Sequence, residues 1–220
     1  MKDAARNTVL GAIRHHLAEA RRTEGLPADR DALPEGPGRP PSEGLDALVA
    51  RFAERLGAVS GHVWRVAGLA GAVEAVREVL GDHSVRRLAC SDDPLCTKIA
   101  AALGTGFEPV DPGDRRAMFA ADAGLSSAQL AVAETGTLVL RSDAERHRLV
   151  SLLPPLHLAV VPTARLVDTM ATALRRLQAE SVPPTLTFVT GPSRTADIEL
   201  TLVVGVHGPR HLHVVLVDEV

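Results

Sequence analysis

The chain has 220 residues, 45% of them hydrophobic and 23% charged, and a formal net charge of −3. That is an ordinary globular composition, long enough to bury a substantial core in one α/β domain with an appended segment. Aromatic residues make up 2% of the chain, with one Trp and no Tyr, so platforms for stacking bases are nearly absent. The slightly acidic balance also lacks the electrostatic footprint of a nucleic-acid binder, and nucleic acid is excluded as a partner.

In chain order, MKDAARNTVLGAIRHHLAEARR comes first. It has no continuous apolar core and does not read as a secretory leader. No apolar run approaches the ~20 residues of a membrane span, so the expected location is cytoplasmic. Val9, Ile13 and Leu17 share one face of a helix predicted over residues 4–22. The stretch TEGLPADRDALPEGPGRPPSEG then reads as an extended connector. Residues 1–44 are therefore expected to form a helical arm with its connector, docked on the body or contributed to a second copy in a homo-oligomer, and residues 45–220 an α/β domain. The domain opens with a helix at Leu45, Leu48, Val49, Phe52 and Leu56, with Ser42 as N-cap and Gly57 as stop.

Short apolar runs then alternate with amphipathic helices. The runs lie near Val63–Val66, Arg87–Cys90, Phe107–Val110, Leu130–Ala133, Thr137–Leu140, Leu156–Val161, Leu186–Val189 and Leu212–Val217. Helical stripes are expected at Leu69/Val73/Val76/Leu80, over 94–104, and at Leu166/Val167/Met170/Leu174/Leu177. The alternation predicts a mainly parallel sheet covered on both faces. Between Leu130 and Leu140 two runs lie only a few residues apart, which permits a hairpin and not a crossover.

The two cysteines, Cys90 and Cys96, have no CxxC spacing and no further Cys to complete a ligand set. A disulfide framework and a Cys-ligated iron–sulfur cluster are excluded for this chain, and both residues read as small apolar groups in a reducing compartment. No cofactor is assigned: the Lys-Ser/Thr ending of a P-loop, the GxGxxG fingerprint and a GxSxG elbow are all missing. His15 and His16 have no partner at metal-ligand spacing, and no metal site is assigned.

Three loops carry chemistry. In AVAETGTLVLRS, Glu134-Thr135-Gly136-Thr137 is either a tight turn, with Gly136 supplying positive φ, or a cleft carboxylate beside hydroxyls and backbone amides. After Thr187-Phe188-Val189, the segment Thr190-Gly191-Pro192-Ser193-Arg194-Thr195-Ala196-Asp197-Ile198-Glu199 is either an anion-binding loop or a capped helix start. In Gly205-Val206-His207-Gly208-Pro209, His207 is a base, a ligand donor or an exposed turn residue. His157 and His213 sit beside or within apolar strands and read as satisfied structural histidines.

Four stretches taken in order resemble the lactate-utilization (LUD) domain family: Ala133–Thr137, Leu152–His157, Gly191–Glu199, and Gly205–Pro209 before Leu212–Val215. The resemblance spans roughly residues 60–220. It implies a Rossmann-like, mainly parallel sheet with an inserted antiparallel hairpin, similar to the sugar-phosphate isomerase and CoA-transferase superfamily. It also implies a part in oxidising L-lactate to pyruvate beside partner proteins that carry iron–sulfur clusters. One departure is Gly124-Leu125-Ser126-Ser127-Ala128, where serines stand in place of a Thr-Gly type of turn.

Two other functional classes stay open. One is a CoA-transferase-like enzyme, or another small-molecule transferase or ligase, with Glu134 as catalytic nucleophile. The other is a non-catalytic assembly or regulatory subunit that docks through its N-terminal helix. On the leading reading, Glu134 faces Ser193, Arg194 and Thr195 across one cleft, orients Arg194 or accepts from a ligand hydroxyl, and helps bind a small anionic ligand. Thr135, Gly136, Thr137, Gly191, Asp197, Glu199 and His207 complete the expected site.

Overall fold

The computed structural model describes residues 2–23, 44–142, 148–179, 183–195, 203–204 and 208–219. The chain divides into two units, residues 1–39 and 40–220. The first contains helix α1 (Lys2–Thr23), on which Val9 and Ile13 are exposed. The connector read from the sequence, and Ser42 with it, lies outside the described residues.

The second unit runs α2 (Leu45–Gly57), β1 (His62–Ala67), α3 (Gly68–Asp82), β2 (Arg87–Cys90), α4 (Pro94–Leu103), β3 (Glu108–Val110), α5 (Arg115–Met118) and β4 (Ala123–Ser127). It continues with β5 (Leu130–Val132), β6 (Thr137–Arg141), β7 (Leu156–Pro162), β8 (Leu166–Val167) and α6 (Met170–Gln178). It ends with β9 (Leu186–Val189), β10 (Arg194–Thr195), β11 (Val203–Val204) and β12 (His211–Asp218). Local chemistry sets several boundaries. Asp93 Oδ1 accepts from Leu95 N at 2.8 Å, Pro94 takes the first helical position, and Gly104 at φ +75° ends α4. Gly44 holds the N-cap position of α2 without a side-chain cap.

Six parallel strands form the main sheet in the order β1-β12-β7-β4-β2-β3. Strand alternation splits its side chains between two cores. Val215, Val217, Leu158, Val160 and Leu125 pack against α3 and α4, whereas Leu212, Val214, Leu216, Ala159 and Val161 pack against α2. On that second face lies a smaller sheet in the order β8-β5-β6-β9. Its far side, Leu130, Val132, Val139 and Val167, is covered by Ala173 and Leu177 of α6. The layers are thus α3/α4, main sheet, α2 with the second sheet, and α6. The expected hairpin is the antiparallel β5–β6 pair, but it has grown into a four-stranded sheet that also recruits β8 and β9. No described helix is long and apolar enough to cross a membrane.

Two expectations change. Leu166 and Val167 do not begin a helix. They pair with Ala131 and Val132 as β8, and α6 starts only after Thr169, whose hydroxyl accepts from Thr172 N at 3.1 Å. An apolar spacing that runs on through 174 and 177 hid a break fixed by strand pairing and a cap. Gly124–Ser127 is not part of a turn either: it is the fully buried central strand β4, paired to β2 and β7 on its two sides. Gly and Ser are poor strand formers, but a place between two strands overrides that preference.

Candidate functional site

The β5–β6 turn explains the carboxylate between two buried strands. Gly136 sits at φ +64°, and a Cβ there would come within 2.6 Å of Leu56 N. Only a glycine lets the turn lie this close to the backbone of α2. Glu134 is exposed, and its Oε2 accepts from Met170 N at 2.9 Å, so its charge lies against the N-terminus of α6. Inward from it, the hydroxyls of Thr135 and Thr137 lie 2.7 Å apart, and Thr137 Oγ1 lies 2.8 Å from Thr190 Oγ1.

That last contact joins the two predicted loops. Because β6 and β9 are antiparallel, with Leu138 opposite Val189, the start of β6 and the end of β9 lie at the same end of the second sheet. Both loops also close on residues 55–60, the first on the last turn of α2 and the second on the connection from α2 to β1. A Cβ on Gly191 (φ +107°) would meet Val59 Cγ2 at 2.9 Å, and Arg194 Nη2 donates to Val59 O and Ser60 Oγ, both at 2.8 Å. Glu134 and Arg194 are thus brought to one end of the sheet, but each engages a different group and they form no ion pair with each other. Ser193 N donates to Pro209 O at 2.8 Å, tying the loop to the entry of β12. Thr195 pairs with Val203 in the β10–β11 ladder. Asp197, Glu199 and His207 lie outside the described residues.

Beside the Thr190–Ser193 loop is a cavity of about 300 Å³. One wall is β9 and the loop, the other is His157, Leu212 and Pro209, and Ser151 and Leu152 also border it. His157 and Leu212 are the second residues of β7 and β12. The cavity therefore meets those two strands near their amino ends and not at the carboxyl edge that usually binds ligands in open α/β sheets. The insertion of the second sheet against this face creates it. A second, tighter hollow lined by Ser126, Arg141 and Arg148 shares Ser151 and Thr187 with the first.

His157 differs from its expected role as a satisfied structural residue. It is fully buried, its Nε2 lies 2.8 Å from Ser126 Oγ, and its Nδ1 has no hydrogen-bond partner among the described residues. Burial pushes the imidazole down to about 4 from its ordinary 6.5. Ser126 and Ser127 were not singled out as site residues. Arg165 Nη1 donates to Ser127 Oγ and Ala128 O, both at 2.9 Å. The signal available in the sequence was one polar ring at the second position of an otherwise apolar parallel strand, PLHLAVV.

The opposite face of the main sheet holds a second group of imidazoles. His62 stacks on His213 at 4.6 Å, and His83 Nε2 lies 3.4 Å from His213 Nε2. Trp64 Nε1 donates to His213 Nδ1 at 3.3 Å, which assigns the His213 proton to Nε2 and makes that atom a poor metal ligand. Burial, then His62, His83 and His211, hold His213 down at about 4. Among the described residues no group of three or more His, Cys, Asp and Glu could hold a metal ion.

The architecture and parts of the sequence have known counterparts. A crystal structure of a DUF162 family protein from Deinococcus radiodurans superposes with a TM-score of 0.62 at 24% identity, covering 80% of this chain and 99% of that one. Lactate utilization protein C of Halalkalibacterium halodurans is 35% identical over 158 residues, which is 66% of this chain and 69% of that protein. Lactate utilization protein C 1 of Bacillus mycoides is 45% identical over 105 residues, 46% of this chain and 45% of that protein. The family described as the LUD domain matches residues 49–217, the region that holds both sheets, the two threonine-linked loops and the His157 cavity. The chain belongs to the LUD domain family.

Proposed function

We propose that this chain is a subunit of a multi-protein system that oxidises L-lactate to pyruvate, and that it acts by binding a small anionic ligand in the cavity beside Thr190–Ser193. One observation carries the ligand reading. The described lining of the roughly 300 Å³ cavity offers hydroxyls, a loop backbone and His157 but no carboxylate, and the adjoining hollow adds Arg141 and Arg148. A small concave site of that polarity suits an anion. The link to lactate is supported by the family and by relatives that carry the name lactate utilization protein C.

In this reading Gly191 and Ser193 form the ligand wall. Thr135, Thr137 and Thr190 brace it through their hydroxyl chain, and Gly136 and Arg194 pin it to Leu56, Val59 and Ser60. Glu134 sets the turn by capping α6. Thr195 carries the same loop into the β10–β11 ladder. Electron transfer falls to partner proteins that bear iron–sulfur clusters, since two cysteines cannot ligate one here. Deleting the gene is expected to abolish growth on L-lactate and leave growth on pyruvate intact. Normal growth on L-lactate without a second copy of the gene contradicts the proposal.

A further inference from the structure

We infer that β1 is a dimer edge: two copies of this chain join their main sheets antiparallel through residues 62–67, about a two-fold axis at Trp64. The inference concerns the sheet edge and is independent of the ligand reading of the cavity.

The main sheet has two outer strands, β1 and β3, and they differ in kind. β3 is three residues long, and Pro109 at its centre has no amide hydrogen to donate. β1 carries six residues without a proline, all in register with β12 on its inner side. Among the described residues no strand pairs with its outer side. An edge of that length presents a row of amides and carbonyls to another strand. The side chains around it are apolar. Trp64 and Val66 are only partly buried toward α3, and Val63 only partly toward α2. Leu45, next to the Asp46 that reaches Arg65, and Leu69, two residues past the end of β1, are exposed.

A charged side chain on an edge strand ordinarily keeps other strands away. Here that residue is Arg65, and its guanidinium is turned onto its own chain: Nε donates to Asp218 Oδ2 at 2.9 Å and Nη1 donates to Asp46 Oδ1. Two carboxylates offset the charge that would repel an identical edge. A second copy fits this edge for two further reasons. A two-fold axis normal to the sheet makes one strand complementary to itself in antiparallel pairing, and it keeps each face on its own side, so Trp64 and Val66 meet the same face of the other copy. Pairing also stops at two, because the far edge of each copy ends in β3 and its proline. Charge then selects the register. The axes that pair the most residues pass through Trp64 or Arg65. An axis at Arg65 sets guanidinium against guanidinium, which is unfavourable. An axis at Trp64 sets the two indoles together, Val63 against Arg65 of the partner subunit, and His62 against Val66 of the partner subunit.

Trp64 is the only tryptophan of the chain, so its emission reports on this edge. Sedimentation velocity and fluorescence of the full chain over roughly 1–100 µM test the inference, a range suited to a small interface of one strand pair and its flanking side chains. Wild type is expected to pass from monomer to dimer across that range, and the Trp64 emission to shift to shorter wavelength in parallel. His62→Lys/Ala67→Lys places a lysine at an exposed position at each end of β1. It should weaken the dimer about tenfold or more and abolish the concentration-dependent shift, with the cooperative melt retained. Should that variant fail to melt cooperatively, Leu45→Lys/Leu69→Lys leaves the strand unaltered and should have the same effect on association. A wild type that stays monomeric at the highest concentration overturns the inference. So does a dimer whose formation leaves the Trp64 emission unchanged, and so does one that persists undiminished in a folded lysine variant. A species larger than a dimer overturns it as well, since the blocked β3 edge allows only two copies.

Discussion

Gly136→Ala probes the contact on which the geometry of both loops depends. The native φ of +64° costs an alanine roughly 1–2 kcal/mol. The new Cβ would also lie 2.6 Å from Leu56 N, 2.9 Å from Arg55 C and 3.0 Å from Leu56 Cα. These are backbone atoms of a helix whose Phe52 and Leu56 are fully buried, so no side-chain rotation relieves the clash. Forcing turn and helix apart is an overpacking event worth about 1–3 kcal/mol. Reduced entropy of the unfolded chain returns about 0.4–1 kcal/mol. The net loss is roughly 3 kcal/mol, or about 6–12 °C in Tm for a chain of this size. Urea denaturation followed by circular dichroism measures it. Gly81→Ala is the control: Gly81 lies near the C-terminal end of α3 with nothing within 4 Å of its added Cβ, and the change should be neutral or slightly stabilising. A Gly136→Ala protein within about 0.5 kcal/mol of wild type would refute the close-approach argument.

Other outcomes follow from the same contacts. Gly124→Ala places a Cβ 1.9 Å from Val150 O in the centre of the main sheet, so it should lose more stability than Gly136→Ala, and a soluble protein of wild-type Tm would contradict the packing described for β4. Arg194→Ala removes two hydrogen bonds to Val59 and Ser60, which should cost about 1–2 kcal/mol in urea and weaken anion binding by loosening the Ser193 loop; unchanged stability and affinity would remove Arg194 from the account. Stability should also fall on acidification. His157 titrates at about 4 folded and at its ordinary 6.5 unfolded. Its contribution is thus complete above pH 6.5 and lost progressively toward pH 4, and His213 acts in the same direction. At about 1.4 kcal/mol per pH unit, His157 alone should cost roughly 3 kcal/mol across that window, and His157→Gln should flatten the profile; equal urea midpoints in wild type at both ends would refute the burial argument. Removing residues 1–44 should reduce co-purification with cluster-bearing partners, whereas unchanged association would count against the arm as their docking element.

Much of the architecture was legible because parallel strands buried on both faces announce themselves as apolar runs. Val63–Val66, Leu156–Val161 and Leu212–Val217 all became strands of the main sheet. The hairpin was legible because the five residues between Val132 and the resumed apolarity at Leu138 cannot hold a crossover. What stayed hidden depended on partners far away in sequence. Gly124–Ser127 lacks strand-forming residues and becomes a strand only because β2 and β7 flank it. β8 is two residues long and exists through its pairing with β5. The loops at Glu134 and Gly191 could be picked out as chemical candidates, but not the fact that both are pinned to residues 55–60. His157 was visible as a lone imidazole in an apolar strand. Its pairing with Ser126 depends on the register of β4 against β7, which no local pattern encodes.

The central claim is that this chain serves lactate oxidation through the cavity between the two sheets. Thr187 lines both hollows and lies on β9, an edge strand that tolerates an aromatic side chain, so Thr187→Trp fills the space with little disturbance of the fold. The decisive measurement is growth on L-lactate and on pyruvate of a strain lacking the gene, complemented with wild type or with Thr187→Trp confirmed as soluble and folded. The account predicts that wild type restores growth on L-lactate, that Thr187→Trp does not, and that all strains grow on pyruvate. Full rescue by the cavity-filled protein, or normal growth on L-lactate of the uncomplemented strain, would contradict it.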